Sequence, residues 1–212
     1  FPLGLAAERI MFGKLLNAGQ TCLAPDYVFI KKGKETEFIN ACKKAAKKFY
    51  PKWNSDNFTA LNSEKQYSRK QSLLQDAIDK GAEIVYLNSD TQKTTDGRKL
   101  APALIMQTTE DMLFRKEEIF GPFLPVVSYD NLDEVKQYIQ DNPRPLGLYL
   151  FSYNNAVIND FLTNTISGGV TINDVIMHIS QETLPFGGVG NSGMGHYHGY
   201  EGFKTFSKAK SV

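Results

Sequence analysis

The sequence of 212 residues predicts an α/β fold, a mostly parallel sheet flanked by helices. Two observations carry that reading. Short β-favouring runs alternate with segments of helical apolar periodicity, and the runs are continuously apolar instead of alternating, as in strands covered on both faces. No internal repeat breaks the order.

Taken in order, residues 5–16 set Ile10, Met11 and Leu15 on one helical face, with Gly19 placed to end the helix. Residues 27–30 read as a short buried strand that a turn at Gly33 closes. Over 35–50, Phe38, Ile39, Cys42, Ala45, Ala46 and Phe49 form a helical stripe, which predicts that Cys42 faces a core and is chemically inert. Lys43, Lys44, Lys47 and Lys48 take the other side and read as a solvated helix face rather than a phosphate-binding patch. Pro51 stops this helix, and the next, over 63–80, carries Leu73, Leu74, Ala77 and Ile78 and ends at Gly81. A strand over 83–87 is followed by a polar loop, 88–99, rich in Thr and Asp. Strands over 103–107 and 123–129, a helix over 131–140, a strand over 146–151, a helix over 154–164 and a strand over 169–172 complete the alternation. Seven of the 17 glycines then crowd into 187–202, where Phe186, Val189 and Met194 mark a shaped loop and not a linker.

Composition narrows the function. The 24 basic and 23 acidic residues are interspersed and nearly balanced, which offers no electrostatic case for nucleic acid or an anionic membrane. Two cysteines without CxxC spacing make no disulfide framework and favour a reducing, cytoplasmic compartment. No apolar run is long enough to anchor in a bilayer, and the first twelve residues lack a basic leader and carry Glu8 and Arg9. A chain that starts at Phe1 and runs straight into a helix is expected to be a piece of a larger protein.

Several motifs invite chemistry. Gly188, Gly190 and Gly193 spell a literal GxGxxG, but no strand precedes it and no acidic residue lies about 20 positions on, so a dinucleotide fingerprint is not expected there. His178, His196 and His198 do not make a recognisable zinc set, no metal is expected, and they read as loop-structuring or solvated. Neither a GxSxG elbow nor a Ser-His-Asp order occurs. Cys22 remains, in a Gly-Gln-Thr-Cys turn before a β-favouring run. Its place just after a helix C-terminus disfavours a thiolate, so another group has to activate it.

Three stretches in order, GQTCLAPDYV from Gly19, EEIFGP from Glu117 and LPFGGVGNSGMGHYHGYEGF from Leu184, resemble the aldehyde dehydrogenase superfamily, and in their variants its class 3 branch, which contains coniferyl aldehyde dehydrogenases. The resemblance covers essentially the whole chain. It implies that Cys22 is the nucleophile, forming a thiohemiacetal and then a thioester as an aldehyde is oxidised to the acid, with the Cys22 N–H as half of an oxyanion hole. Glu118 would bond the nicotinamide ribose of NAD or NADP, Phe120 would pack on the same part of the cofactor, and Phe186 would line the aldehyde tunnel beside the cysteine.

The resemblance also implies an organisation: residues 1–183 form the nucleophile-bearing α/β domain, and 184–212 form the glycine-rich substrate-site loop and C-terminal segment of the same domain. The family's N-terminal cofactor domain, the glutamate base of its ELGG segment, the oxyanion-hole asparagine and most of an oligomerisation hairpin are absent from this sequence. Alone, the chain is expected to bind cofactor poorly and be inactive. The parent is expected to be a homodimer or higher homo-oligomer, pairing strand 169–172 with a neighbour's hairpin. A cinnamyl-type or a medium to long aliphatic aldehyde both fit as substrate. A non-catalytic assembly module and a relative that passes its acyl group to coenzyme A stay open as alternatives.

Overall fold

The computed structural model describes residues 1–88 and 97–212, so the loop expected over 88–99 lies largely outside the described residues. The chain divides into two compact units, Pro2–Asp130 and Asn131–Val212 with Phe1.

In the first unit, helix α1 (Leu3–Leu15) buries Ala6, Ala7, Ile10, Met11 and Leu15. Strand β1 (Val28–Lys31) and helix α2 (Glu35–Phe49) follow, and α2 buries Phe38, Cys42, Ala45 and Ala46 as its periodicity predicts. Helix α3 (Glu64–Asp79) starts where Ser63 Oγ accepts the N–H of Gln66 at 3.3 Å, an N-cap that satisfies one otherwise orphaned donor. Strands β2 (Glu83–Tyr86), β3 (Ala103–Met106) and β4 (Phe123–Tyr129) complete a four-stranded sheet of order β1-β4-β3-β2. β4 runs parallel to β1 and to β3, and β2 joins β3 antiparallel at the edge. β4 changes partner along its length: residues 123–125 pair with β3 and 126–129 with β1. Pro125, which has no N–H to donate, falls at that handover, where a central strand tolerates it.

The core lies on β3, all four of whose residues are buried, with Leu73 and Ala77 of α3 over it and Phe114 edge-on to Phe123 at 6.0 Å. Phe114 sits on a short helix, α4 (Leu113–Lys116), that the sequence pattern does not reveal. Its cause is long-range: the Asp76 carboxylate of α3 accepts the Leu113 N–H at 2.8 Å. Residues 51–62 form no regular element, yet Trp53, Phe58 and Leu61 are buried from them.

In the second unit, helix α5 (Leu132–Asp141) is capped by Asn131, which accepts from the N–H groups of Asp133 and Glu134. Strand β5 (Gly147–Leu150), helix α6 (Asn155–Asn164) and strand β6 (Gly169–Ile172) form a βαβ unit whose strands pair in parallel, Gly147 opposite Gly169. Lys136 of α5 bridges Asp133 at 2.8 Å and Asp160 of α6 at 2.5 Å. Beyond β6 come two 3-10 turns, Met177–Ser180 and Gly190–Ser192, and a short helix, α7 (Gly199–Thr205), which glycine-rich sequence does not predict.

Candidate active site

The cysteine turn is shaped by three left-handed residues. α1 does not run on to Gly19 but tightens into a 3-10 turn, Leu16–Gly19, in which Asn17 (φ 52°), Ala18 (φ 53°) and Gly19 (φ 74°) all have positive φ. Only Gly19 does so without a Cβ penalty, and it has a second reason to be glycine. A Cβ there would stand 2.2 Å from the carbonyl oxygen of Gly121, so the two motifs GQTC and EEIFGP meet backbone to backbone.

Gln20 fixes the turn from the other side. Its Nε2 donates to the Ala60 carbonyl at 3.0 Å, and its Oε1 accepts the Asn62 N–H at 3.0 Å. Leu23 is buried immediately beyond, while Cys22 between them is exposed. Cys42 is the internal control. It has no exposed surface, and burial pushes its thiol far above the ordinary range, so it stays protonated and unreachable.

The EEIFGP segment is held through its backbone. Asp26 Oδ1, four residues after Cys22, accepts the Ile119 N–H at 3.0 Å. Arg69 of α3 donates to the carbonyls of Ile119, at 3.2 Å, and Glu118, and pairs with Glu117 at 3.4 Å. With Ile119 buried and its peptide groups bonded on both sides, the Glu118 side chain is left exposed and Phe120, at φ 51°, half-buried. The structure therefore brings the Cys22 turn and the Glu118–Phe120 stretch together through Gly19–Gly121 and Asp26–Ile119.

Two lysines lie beneath. Lys14 is 1% and Lys70 0% exposed, and burial lowers each to about 8, against the opposing pull of Glu118 on both and of Asp26 on Lys14. The Lys70 stem runs past Gly121, where a Cβ would meet its Cε at 3.0 Å, and its Nζ donates to Gln66 Oε1 at 2.7 Å. The sequence reading missed Asp26, Arg69, Lys14 and Lys70. A signal existed for the lysines: Lys14 stands three and four residues from Met11 and Ile10, and Lys70 likewise from Leu73 and Leu74, on the buried faces of their helices.

Phe186 belongs to the second unit. It pairs antiparallel with Tyr197 through reciprocal N–H···O bonds of 2.8 and 2.9 Å, and its ring lies 5.9 Å from that of His178 and 5.8 Å from that of His198. His196 is the exposed histidine, 3.2 Å from Glu201. The GVGNSG stretch closes on itself: the Val189 N–H donates to Ser192 Oγ at 2.9 Å, and a Cβ at Gly188 would strike the Ser192 carbonyl at 2.1 Å. Among the described residues, no group of three or more His, Cys, Asp or Glu could hold a metal ion, and no helix is long and apolar enough to cross a membrane.

An exposed thiol on a glycine-locked turn thus stands on the same unit as a segment carrying an exposed carboxylate and an aromatic ring. The family follows: the model of the aldehyde dehydrogenase family matches residues 3–212, and the chain belongs to that family. Over its full length it is 48% identical to a Pseudomonas aeruginosa protein described as a probable coniferyl aldehyde dehydrogenase, 44% of which it covers. Over 99% of its length it is 40% identical to a dog aldehyde dehydrogenase described as dimeric and NADP-preferring, 45% of which it covers. It is also similar to a solved structure of Staphylococcus aureus AldH in a substrate-bound state, with a TM-score of 0.89 and 39% identity over 99% of this chain and 46% of that one. The chain spans less than half the length of each of these relatives.

Proposed function

We propose that this chain carries the nucleophile, and parts of the cofactor and aldehyde sites, of an NAD(P)+-dependent aldehyde dehydrogenase that converts an aldehyde to its carboxylic acid. One observation supports this above the rest: of two free cysteines, the one in the GQTC turn is exposed on a rigid support and the other is sealed in α2. In this reading the Cys22 thiolate attacks the aldehyde carbon, the new C–S bond forms as the carbonyl electrons move to oxygen, and the Cys22 N–H bonds that oxyanion. NAD(P)+, when bound, supplies the acceptor for the hydride whose loss turns this centre into a thioester. Cys22 then holds the acyl group until water cleaves the C–S bond, releasing the acid and returning the thiolate.

The residues fit the cofactor. Glu118 offers an exposed carboxylate on a fixed backbone, and a carboxylate accepts from two adjacent hydroxyls such as those of a ribose. Phe120 offers a ring face beside it. Phe186 walls the aldehyde site, and residues 1–183 and 184–212 work as one catalytic domain of a cytoplasmic homo-oligomer with the length of the chain's relatives. The glutamate base and the rest of the cofactor site are assigned to the remainder of that longer protein, so the chain alone is expected to be inactive. Coniferyl-type or medium to long aliphatic aldehydes are the substrates to try first.

Iodoacetamide labelling of the folded protein tests the nucleophile: Cys22 should be alkylated and Cys42 spared, and negligible labelling of both would sink the claim. For the full-length protein, mixing NAD+ or NADP+ with these aldehydes should raise the absorbance of reduced cofactor and release acid. Silence across the panel would favour the assembly module, and acyl-CoA in place of acid the CoA-acylating relative.

A further inference from the structure

Phe186 is held from β6 by a device that its own motif does not contain. Two glycines stand at the start of β6, Gly168 just before the strand and Gly169 as its first residue. A Cβ at Gly168 would lie 2.3 Å from the Gly187 carbonyl oxygen, so the backbone next to Phe186 docks directly on the strand's start. A Cβ at Gly169 would lie 2.6 Å from Cδ2 and 2.9 Å from Nε2 of His178, so that ring is wedged over the second glycine. His178 Nδ1 stands 2.8 Å from Thr171 Oγ1, two residues further along β6, and Nε2 is buried without a hydrogen-bond partner. Nδ1 and Thr171 Oγ1 share one hydrogen bond, which the hydroxyl can complete with either tautomer of the ring. Burial lowers the pKa of His178, in keeping with a neutral ring.

The ring so fixed lies 5.9 Å from Phe186 and 6.1 Å from Tyr149 of β5, while His198 stacks on Phe186 at 5.8 Å and Tyr197 meets it edge-on at 5.8 Å. We propose that His178 is a positioning residue for Phe186, an imidazole wedge clamped by Gly169 and Thr171 that holds the aromatic wall of the aldehyde site still. This rests on reading Phe186 as that wall. A fixed flat wall matters most to a flat substrate: a conjugated aryl aldehyde stacks at one offset, whereas an alkyl chain adapts to a displaced ring. The wedge therefore tunes the enzyme toward planar, conjugated aldehydes.

The test compares cinnamaldehyde with hexanal in the full-length enzyme. His178→Ala should raise KM for cinnamaldehyde by on the order of tenfold, raise that for hexanal far less, and leave KM for NAD(P)+ within about twofold. Thr171→Val, which removes one hydroxyl and is safe for folding, should move the same ratio in the same direction by a smaller factor. Gly169→Ala pushes the ring from the opposite side and should mimic His178→Ala. In the double variant the methyl enters the space the ring has left, so the two effects should not multiply. An unchanged cinnamaldehyde KM in His178→Ala, equal losses for both aldehydes and the cofactor, or multiplying effects in the double variant would each overturn the proposal. Phe186→Ala separates the two readings. If it raises KM for cinnamaldehyde and His178→Ala does not, the wedge alone is wrong; if Phe186→Ala is silent, the wall is wrong and the wedge falls with it.

Discussion

The two units differ in which side chains hold their functional segments. Around Cys22 the support is polar: Asp26, Arg69 and Gln20 bond peptide groups of neighbouring loops, and Lys14 and Lys70 are buried below. Around Phe186 the backbone is paired with Tyr197, and the side chain is held ring on ring, with one side-chain hydrogen bond at His178. Backbone hydrogen bonds fix a peptide plane to fractions of an ångström and leave its side chain free to act, whereas packed rings fix a surface. The difference suits the proposed tasks, a thiol and a carboxylate that must point in one case and a wall that must not yield in the other. Where the two units agree is in their use of glycine, since Gly19 and Gly168 each let one backbone touch another.

That contrast can be broken in graded steps. The largest effect is chemical: in the full-length enzyme Cys22→Ser should lower kcat by about 10³-fold or more, while Cys42→Ser should stay within a few-fold and change stability instead, which steady-state kinetics and urea unfolding will separate. Next comes the backbone contact. Gly19→Ala meets both a left-handed φ and a carbonyl oxygen 2.2 Å away, and the loss should exceed about 2 kcal/mol in urea unfolding. Arg69→Ala should act more locally, raising KM for NAD(P)+ roughly tenfold with little change in KM for the aldehyde, because it frees the Glu118 and Ile119 carbonyls and not Phe186.

The smallest effect is a pH slope. Lys14 and Lys70 titrate near 8 in the folded chain against 10.5 for the ordinary side chain, so between those values the unfolded chain binds more protons and stability rises with pH. Below pH 8 both are charged in their buried sites and the cost is present in full. Lys14→Met should flatten the rise of the urea midpoint between pH 7.5 and pH 10, and an unchanged slope would show that its ammonium is not sequestered from water.

Much of the fold is written in local periodicity. The strands over 123–129 and 169–172 are as read, the five long helices fall within two residues of their expected ends, and the stripe containing Cys42 is buried as its spacing requires. What escaped the reading depends on partners far away in sequence. Helix α4 is set by Asp76, 37 residues earlier, and the Ile119 amide by Asp26, 93 residues earlier. Neither pairing leaves a periodic trace. At the candidate site the motif residues were legible, but the groups that aim them were not. Asp26 and Gly19 stand inside the quoted motif without announcing which distant peptide they serve.

The handover along β4 has a consequence for how the chain is made. β1, the strand that follows the cysteine turn, pairs only with residues 126–129 among the described strands. A ribosome adding about 5–20 residues per second spends on the order of 5–20 s between delivering the one and the other. Throughout that interval the thiol is translated but the strand after its turn has no sheet to join, so the turn takes its final support only once β4 is made.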